Sequence, residues 1–502
     1  MRKWIDNNIR IVLLCAAVVY TMVFFFAGHR LNFATDTFAT FDSGYANTTL
    51  HMALDNGRLV TAGLYMLFAM TGAAADVTFY ILYWGGMITL CVAIYILAEL
   101  LYRHIGYWSL LIAPMLLINV FIIDYFLFLE AFGFCSGILF TVIAVKFFAD
   151  RMDGGSVKDI AWSTVFLCLA QLCYQAVPGA FVGILLPFFI YYSKGSIRTL
   201  IRYNVEACIE YVFVNAASFF MMAFAFHSDR VELMGETFGE SLKIALTGMI
   251  DIMKDTDGIL DVVMPAHVWC VIVIVLGLLA CVRAVLTARH NESGSVLLNL
   301  AYVIYIFVIV MLLQFVLYVI GRAVARVSYP LGVLPGAVVL HMLLGDGTVS
   351  DSKSGTFFER IIGYIACACG VVLLLMELVS FTIIFGQRYE GNRLDRDEIV
   401  SIGHIIDEYE QNTGIQVNGV VFYYDENSSD YWDCITYYSD TSVRSLRRIW
   451  SHYTSVNYYL GRNFYILDQD PEIKQMFESQ DWNEFDEDQV VIVKDVAHIC
   501  VY

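Results

Sequence analysis

The sequence predicts a polytopic α-helical membrane protein that ends in a small soluble α+β domain. Of its 502 residues, 59% are hydrophobic and only 16% are charged, whereas a soluble domain usually carries about 25% charged residues. Apolar runs long enough to cross a bilayer core of roughly 30 Å recur from the N-terminus to residue 385. Between residues 387 and 502 the chain carries 22 acidic and 9 basic residues, so most of the net charge of −18 lies in this tail.

Eleven apolar runs are predicted to span the bilayer. The first follows Met-Arg-Lys-Trp and has no small-residue cleavage site after it, so we interpret it as an uncleaved first span rather than a signal peptide. The predicted spans are 9–27, 76–100, 107–126, 132–149, 159–176, 178–193, 205–226, 266–285, 297–320, 327–345 and 360–385.

The short loops alternate between basic and non-basic, and this alternation predicts the orientation, because Lys and Arg remain on the cytoplasmic side. The N-terminus is therefore expected in the cytoplasm. Loops 28–75, 127–131, 227–265 and 321–326 are expected outside, and so is the tail. Basic residues occur in every second loop, at Arg2, Lys3, Arg10, Arg103, Lys146, Arg151, Lys158, Lys194, Arg198, Arg202, Arg283, Arg289, Lys353 and Arg360.

We divide the chain into a membrane domain, 1–386, and an extracytoplasmic acidic domain, 387–502. Within outer loop 28–75, segment 58–72 is too short to span but apolar enough to lie at the membrane surface as a juxtamembrane helix. In the tail, 397–410 has helical spacing, and 415–424 and 489–493 have the pattern of strands.

Ten of the twelve cysteines lie in apolar runs, where we interpret them as packing residues. Cys434 and Cys500 lie in the tail, and whether they pair stays open. No nucleic-acid-binding signature is evident, and an acidic outward tail argues against a polyanionic partner.

Outer loop 28–75 carries the first candidate chemistry, Asp36, Asp42 and Arg58. Beside the membrane, a carboxylate can accept a proton from an acceptor hydroxyl, and a guanidinium can hold the phosphate of a lipid-linked donor. A hard divalent cation held by both carboxylates and phosphate oxygens would be compatible with this loop. The alternative is that the carboxylates are solvated and that Arg58 anchors its helix at lipid head groups.

The second candidate is a polar group near the outer end of a span, formed by Gln171, Tyr174 and Gln175. Polar side chains at this depth are costly unless they face protein or a cavity. They either line a substrate cavity or join helices by hydrogen bonds, and Tyr174 also fits an interfacial aromatic belt.

The third candidate is a pair of arginines, Arg322 and Arg326, on the predicted outer face, where arginine is disfavoured. A spacing of four places both on one face of a helix, within reach of one phosphate or pyrophosphate group. Pairing with acidic residues is the alternative. Asp124 and Glu130, which flank an outer turn, are interpreted as surface residues.

These residues resemble those of the bacterial membrane glucosyltransferases of the phage serotype-conversion kind, often called GtrII-like, in the GT-C class. The resemblance rests on Asp36-Thr37-Phe38 after the first span, Asn56-Gly57-Arg58, Tyr174-Gln175-Ala176 and the arrangement of spans before an outward tail. It covers most of residues 1–345.

The resemblance implies a GT-C-like bundle in a bacterial plasma membrane and glycosyl transfer outside the cytoplasm. The implied donor is a polyprenyl-phosphate sugar such as undecaprenyl-phosphate glucose, and the acceptor is a cell-envelope glycan. Asp36 would be the base with Asp42 assisting, Arg58 would contact the donor phosphate, and Tyr174 and Gln175 would line the cavity. The family's early acidic motif is sometimes two adjacent carboxylates, whereas these two are six residues apart.

Two other functions stay open. A transporter or flippase of a lipid-linked or soluble substrate would also use intramembrane polar groups, but no repeat-related pair of broken helices is evident in the sequence. A surface receptor would use the tail for a partner and the membrane part as an anchor, for which eleven spans are more than needed.

Overall fold

The computed structural model describes residues 7–29, 33–227, 237–254, 266–288, 296–320, 325–345, 357–424, 444–480, 482 and 485–501. Helices dominate these residues, and a small sheet lies at the C-terminus. The helices are α1 Ile9–Phe25, α2 Thr35–Leu54, α3 Leu59–Thr71, α4 Ala75–Ile105, α5 Ser109–Leu117, α6 Ile123–Leu127, α7 Ala131–Met152, α8 Val157–Cys173, α9 Gly179–Ser193, α10 Ile197–Phe220, α11 Phe238–Lys254, α12 Ala266–Ala288, α13 Val296–Ile320, α14 Tyr329–Gly332, α15 Leu334–Leu344, α16 Phe357–Thr413, α17 His452–Leu460 and α18 Pro471–Phe477.

Seven helical segments among the described residues are long and apolar enough to cross a membrane, which supports a helical membrane protein. Each of the eleven predicted spans overlaps helix, while the count of eleven and the orientation stay predictions. The seven segments are Ile9–His29, Asp76–Leu117, Ala131–Met152, Ile197–Phe226, Val268–Leu286, Arg326–Leu344 and Arg360–Thr413.

Helix α9 lies at the centre of the membrane part. Every residue from Gly179 to Ile190 is buried, Pro187 included, and the neighbours of α9 are α7, α10, α13 and α15. A helix that is apolar all round is expected in the interior of a bundle. By contrast, α10 buries one face and exposes residues such as Ile209 and Phe213 on the other.

Outer loop 28–75 contains more helix than the sequence predicted. The helix expected over 58–72 is present as α3, and α2 precedes it over Thr35–Leu54. The sequence of α2 is rich in Thr, Ser, Asn and Gly, which favour turns over helix interiors. Its buried side, which includes Phe38 and Tyr45, packs against the remainder of the molecule. Tertiary packing therefore decides its structure.

Two helical segments of the membrane part are broken. One break separates α5 from α6, where a 3₁₀ turn, Val120–Ile122, follows Asn119. The other lies between the 3₁₀ turn Ala325–Ser328 and α15, where the chain forms only the four-residue helix α14. The breaks meet, because a Cβ on Gly332 would overlap the side chain of Asn119. From this point, the 11 residues of α15 extend for only about 16 Å, roughly half a bilayer core.

The C-terminal domain holds a four-stranded sheet of order β2-β1-β4-β3, with β1 Gly419–Tyr424, β2 Tyr465–Ile466, β3 Val490–Val493 and β4 Val496–Val501. Strand β1 is parallel to β2 and β4, in register from Gly419 opposite Val496 to Tyr424 opposite Val501, and β3 is antiparallel to β4. The predicted helix over 397–410 and strands over 415–424 and 489–493 are confirmed as elements.

One helix of 57 residues, α16, joins the two parts of the chain. Its first half is apolar, and its second half packs Ile399, Ile402 and Ile406 against the sheet in one hydrophobic cluster. The division predicted at 386 and 387 therefore falls inside a continuous helix. Cys434 lies outside the described residues, so whether it pairs with Cys500 stays open.

Candidate functional site

Arg58 reaches the buried turn that follows α8. Its guanidinium carbon lies 4.7 Å from the ring centre of Tyr174 and 5.5 Å from that of Phe134. Its Nη1 lies 3.7 Å from Oε1 of Glu130, a distance longer than a direct charge-assisted hydrogen bond. Two aromatic faces and one carboxylate therefore hold the group.

The backbone before α3 positions Arg58. Gly57 has a φ of 63°, and a Cβ at this residue would come within 2.8 Å of Met222. Only glycine therefore allows the chain to turn this tightly against Met222, which follows the end of α10. Gln175, beside Met222, supports the same turn, because its Nε2 donates to the carbonyl oxygen of Asn56 at 2.5 Å.

Arg326 lies in the 3₁₀ turn Ala325–Ser328, on the far side of the same group of residues. Its guanidinium carbon is 4.8 Å from the ring centre of Phe128. It interacts electrostatically with Tyr174, Asp124, Asp36 and Glu130. Two arginines from distant parts of the sequence thus share one acidic and aromatic environment, which we call the arginine cluster: Asp36, Arg58, Asp124, Glu130, Tyr174 and Arg326.

Asp124 and Glu130 were interpreted as surface residues, and this was wrong. Asp124 is fully buried, and Glu130 is 7% exposed. Burial raises the pKa of Glu130, and Arg58 opposes this shift. A signal was present in the sequence, since both acids interrupt an otherwise apolar run from Phe121 to Phe134. Ionisable groups in such a run mark functional positions more often than surface ones.

The two predicted catalytic carboxylates lie in different surroundings. Asp36, in the first turn of α2, is exposed and interacts electrostatically with Glu130 and Arg326. Asp42 follows Asp36 by six residues, which is one and two-thirds turns of helix, so its side chain projects from a different face of α2. Its Oδ1 accepts a hydrogen bond of 3.4 Å from Nδ2 of Asn457 in the C-terminal domain. The structure therefore associates only Asp36 with the arginines.

The three residues of the polar group, Gln171, Tyr174 and Gln175, have different partners in the structure. Tyr174 is buried under Arg58, and Gln175 binds the Asn56 turn. Gln171 lies one turn of helix away, and its Nε2 contacts Oδ1 of Asn215 on α10 at 3.5 Å. This contact favours the helix-joining role for Gln171 and the site-lining role for Tyr174.

Arg322 lies outside the described residues, so its position beside Arg326 stays a prediction. Arg326 itself is in a 3₁₀ turn, not in the α-helix that the four-residue spacing assumed. Within the described ranges, no three His, Cys, Asp or Glu side chains are grouped to hold a metal. The divalent cation beside Asp36 and Asp42 stays a prediction.

Tyrosines and a glutamate satisfy the backbone at the two helix breaks. The hydroxyl of Tyr329 donates to the carbonyl of Leu117 at 3.1 Å, and that of Tyr125 to the carbonyl of Arg326 at 3.0 Å. Glu377 of α16 accepts from the backbone N–H of Val120. Irregular backbone inside a bundle needs such partners, and they fix the segment that carries Arg326.

The C-terminal domain lies directly over the start of α2. Arg388 donates to the carbonyl of Phe33, while Oδ1 of Asn392 accepts from the Phe33 N–H at 2.7 Å. Nε1 of Trp450 contacts Oγ1 of Thr35 at 3.3 Å. Asp36 therefore sits at the junction between the arginine cluster and the C-terminal domain.

No protein-family model, curated protein or solved structure matches this chain.

Proposed function

We propose that the chain is a membrane glycosyltransferase that moves a sugar, glucose by the resemblance, from a polyprenyl-phosphate donor to a cell-envelope glycan on the outer face. The observation that carries the proposal is the incomplete coordination of Arg58. Its Nε is buried and has no hydrogen-bond partner among the described residues, although a buried donor without a partner costs about 1 to 3 kcal/mol. A phosphate oxygen would supply the missing acceptor.

In this proposal, Arg58 and Arg326 hold the donor phosphate, and Tyr174 and Gln175 form the wall beside it. Arg322 belongs to the same phosphate site by sequence. A guanidinium is suited to this task because its planar fork matches two phosphate oxygens. Both arginines also neutralise the charge that the phosphate gains as a leaving group.

Asp36 is the base of the proposed reaction. The acceptor hydroxyl transfers its proton to the carboxylate while its oxygen forms a bond to the anomeric carbon, and the bond from that carbon to the phosphate oxygen breaks. The products are the glycosylated acceptor and polyprenyl phosphate. The exposed Asp36 can meet an acceptor from solution and interacts electrostatically with Arg326. Asp42 is also exposed, but it is bound by Asn457 and has a positioning role.

The direct test is transfer of radiolabelled glucose from polyprenyl-phosphate glucose in membrane vesicles. We expect Asp36→Asn to reduce transfer by about 100-fold or more at unchanged protein level. Asp42→Asn is the matched control, since it makes the same change on the same helix, and we expect most activity to remain. Absence of transfer by the wild type from any polyprenyl-phosphate sugar would refute the proposal, as would loss of transfer in Asp42→Asn alone.

A transporter or flippase is the second candidate, and the two broken segments that meet at Asn119 and Gly332 favour it. Discontinuous helices that cross near mid-bilayer are typical of transporter binding sites. Proteoliposomes that contain the chain and labelled donor, without acceptor, separate the two functions. A transporter moves the donor across the bilayer under these conditions, whereas the glycosyltransferase leaves it in place.

A further inference from the structure

A row of polar side chains runs between helices α8 and α10, away from the arginine cluster. We call it the polar seam: Ser163, Thr164 and Gln171 of α8, and Glu206, Glu210 and Asn215 of α10. Polar groups between membrane helices are costly unless they have a role. The proposed glycosyl transfer uses none of these residues.

Glu210 is the buried carboxyl of the seam. It is 4% exposed, and neither of its oxygens receives a hydrogen bond from the described residues. The hydroxyls of Ser163 and Thr164 lie beside it, but each already donates to a backbone carbonyl, that of Ala144 at 3.1 Å and that of Ile160 at 3.0 Å. A hydroxyl has only one proton to donate. With their protons engaged in this way, both hydroxyls offer oxygen lone pairs to which a protonated Glu210 can donate.

This arrangement fits a carboxylic acid and not a carboxylate. A protonated Glu210 can donate to either hydroxyl oxygen, whereas an ionised one faces oxygen lone pairs and buried apolar groups, at a cost of several kcal/mol. The other titratable neighbours from the described residues are Cys168 on α8 and Tyr211 and Glu206 on its own helix. None of them is a cation that would compensate a negative charge.

We propose that Glu210 is a proton-binding site inside the bundle and that it exchanges its proton with water at the Glu206 end of the seam. Glu206 lies one helical turn away, about 6 Å between Cβ atoms. Its side chain is 21% exposed and contacts Arg202 at 2.7 Å and Arg151 at 3.7 Å. Glu206 is therefore the carboxyl of the seam that reaches both water and the two arginines.

The exchange is a balanced proton transfer. The Glu210 carboxyl gives its proton to the Glu206 carboxylate, which leaves Glu210 ionised and Glu206 neutral, and Glu206 then releases the proton to water. Loading is the reverse. Lys and Arg residues gather at this end of α10, the predicted cytoplasmic side, so the site equilibrates with the face opposite the arginine cluster.

The other end of the seam connects to that cluster. Gln171 contacts Asn215, and one turn further Gln175 donates to the carbonyl of Asn56, two residues before Arg58. Side-chain amides orient with the charge state of their neighbours. Gln171 and Gln175 thus connect the Asn215 end of the seam to the residues that position Arg58.

Labelling with dicyclohexylcarbodiimide tests this proposal, because this apolar reagent dissolves in the bilayer and adds to protonated carboxyls. The full chain, in sealed vesicles of known orientation, is labelled while the pH on one side is varied from about 5 to about 9. Mass spectrometry then locates the adduct. We expect label at Glu210 that falls at least about tenfold as the pH rises on the Glu206 side, with no response to pH on the other side.

Three variants complete the test. Glu210→Gln, which preserves the shape of the protonated side chain, abolishes the adduct in that peptide, and Glu377→Gln, at another buried carboxyl of the membrane part, leaves it unchanged. Glu206→Gln slows the response to pH. The proposal is overturned if wild-type Glu210 takes no label at any pH, if its labelling ignores the pH on both sides, or if it follows the pH on the face of the arginine cluster.

Discussion

Arg58 beside the membrane helices and Arg444 in the C-terminal domain both lie among carboxylates, yet they are bound very differently. Nε of Arg444 is 2.8 Å from Asp395, its Nη2 also binds Glu398, and the N–H of Ser445 adds a bond of 2.8 Å to Asp395. Arg58 has one carboxylate at 3.7 Å and a buried Nε without a partner in the described part of the chain.

The difference separates two uses of a buried charge. Close bonds from Arg444 to two carboxylates join the long helix α16 to the segment after residue 443, which is a structural role. The loose environment of Arg58 leaves donor capacity in place for a ligand. Geometry therefore distinguishes Arg444, whose side chain is 3% exposed and holds the fold, from Arg58, whose side chain is 13% exposed and has unused donor capacity for the proposed phosphate.

The largest effect is expected for Arg444→Ala. Loss of this guanidinium leaves Asp395 and Glu398 buried without compensation, which costs about 3 to 5 kcal/mol. Hydrogen exchange of strands β1 and β4 in the full chain measures the loss. Arg462→Ala is the control, because Arg462 pairs with Asp407 and Glu410 at the surface, where we expect less than about 1 kcal/mol. Equal effects of the two changes would contradict the comparison.

His452 gives the second prediction. It stacks on Phe422 with ring centres 4.2 Å apart, and burial lowers its pKa to about 4. The unfolded chain, with a histidine pKa near 6.5, binds the proton first as the pH falls. The free energy of unfolding of this domain should therefore fall from about pH 6.5 to about pH 4, by roughly 2 to 3 kcal/mol.

The same hydrogen-exchange measurement, repeated across this pH range, checks the prediction. His452→Gln should remove most of this pH dependence, whereas His404→Gln, at an exposed position on α16, should leave it. A pH dependence that survives in His452→Gln would show that other groups govern it.

Arg58→Lys tests whether Arg58 binds the donor phosphate rather than stabilising the fold, as Arg444 does. Lysine keeps the positive charge near Glu130 but loses the planar fork and the stacking on Tyr174. We expect the KM for the polyprenyl-phosphate donor to rise about tenfold, a change of about 1.4 kcal/mol, with thermal stability nearly unchanged. Arg444→Lys should do the opposite, with a loss of stability and an unchanged KM.

The smallest effect is expected for Trp450→Phe, which removes the hydrogen bond to Thr35 next to Asp36. Because a single exposed hydrogen bond contributes about 0.5 to 1 kcal/mol, we expect little change in stability and a modest fall in the transfer rate. Trp482→Phe, away from α2, serves as the comparison for the rate. A rate that does not change in Trp450→Phe would show that the contact does not affect Asp36.

The membrane helices and the tail elements could be predicted because each depends on local patterns, apolar runs for the spans and alternation or 3.6-residue spacing for the tail. Helix α2 could not, since its turn-favouring residues become helical only through packing against distant segments. The breaks at Asn119 and before α15 also escaped prediction, because their backbone partners, Tyr329, Tyr125 and Glu377, come from remote positions.

At the site, sequence reasoning found Asp36, Arg58, Tyr174 and Arg326, which the structure brings into one electrostatic environment. It misjudged Asp124 and Glu130. A turn flanked by two charged residues is expected to be solvated when its depth in the membrane is judged only from the ends of the predicted spans. In the structure, the turn between α6 and α7 is recessed among the helices, so Asp124 and Glu130 are buried.

Helix α16 runs unbroken from the membrane part into the C-terminal domain, so a tilt of its apolar half also tilts its second half. Its last 27 residues, 387–413, rise about 40 Å beyond the apolar half. A tilt of about 5° in the bilayer would displace the far end by roughly 3 Å. Near the start of this second half, Arg388 and Asn392 form hydrogen bonds with the backbone of Phe33, three residues before Asp36. A change in the tilt of α16, which depends on its packing and on the membrane around it, would therefore act beside the proposed base.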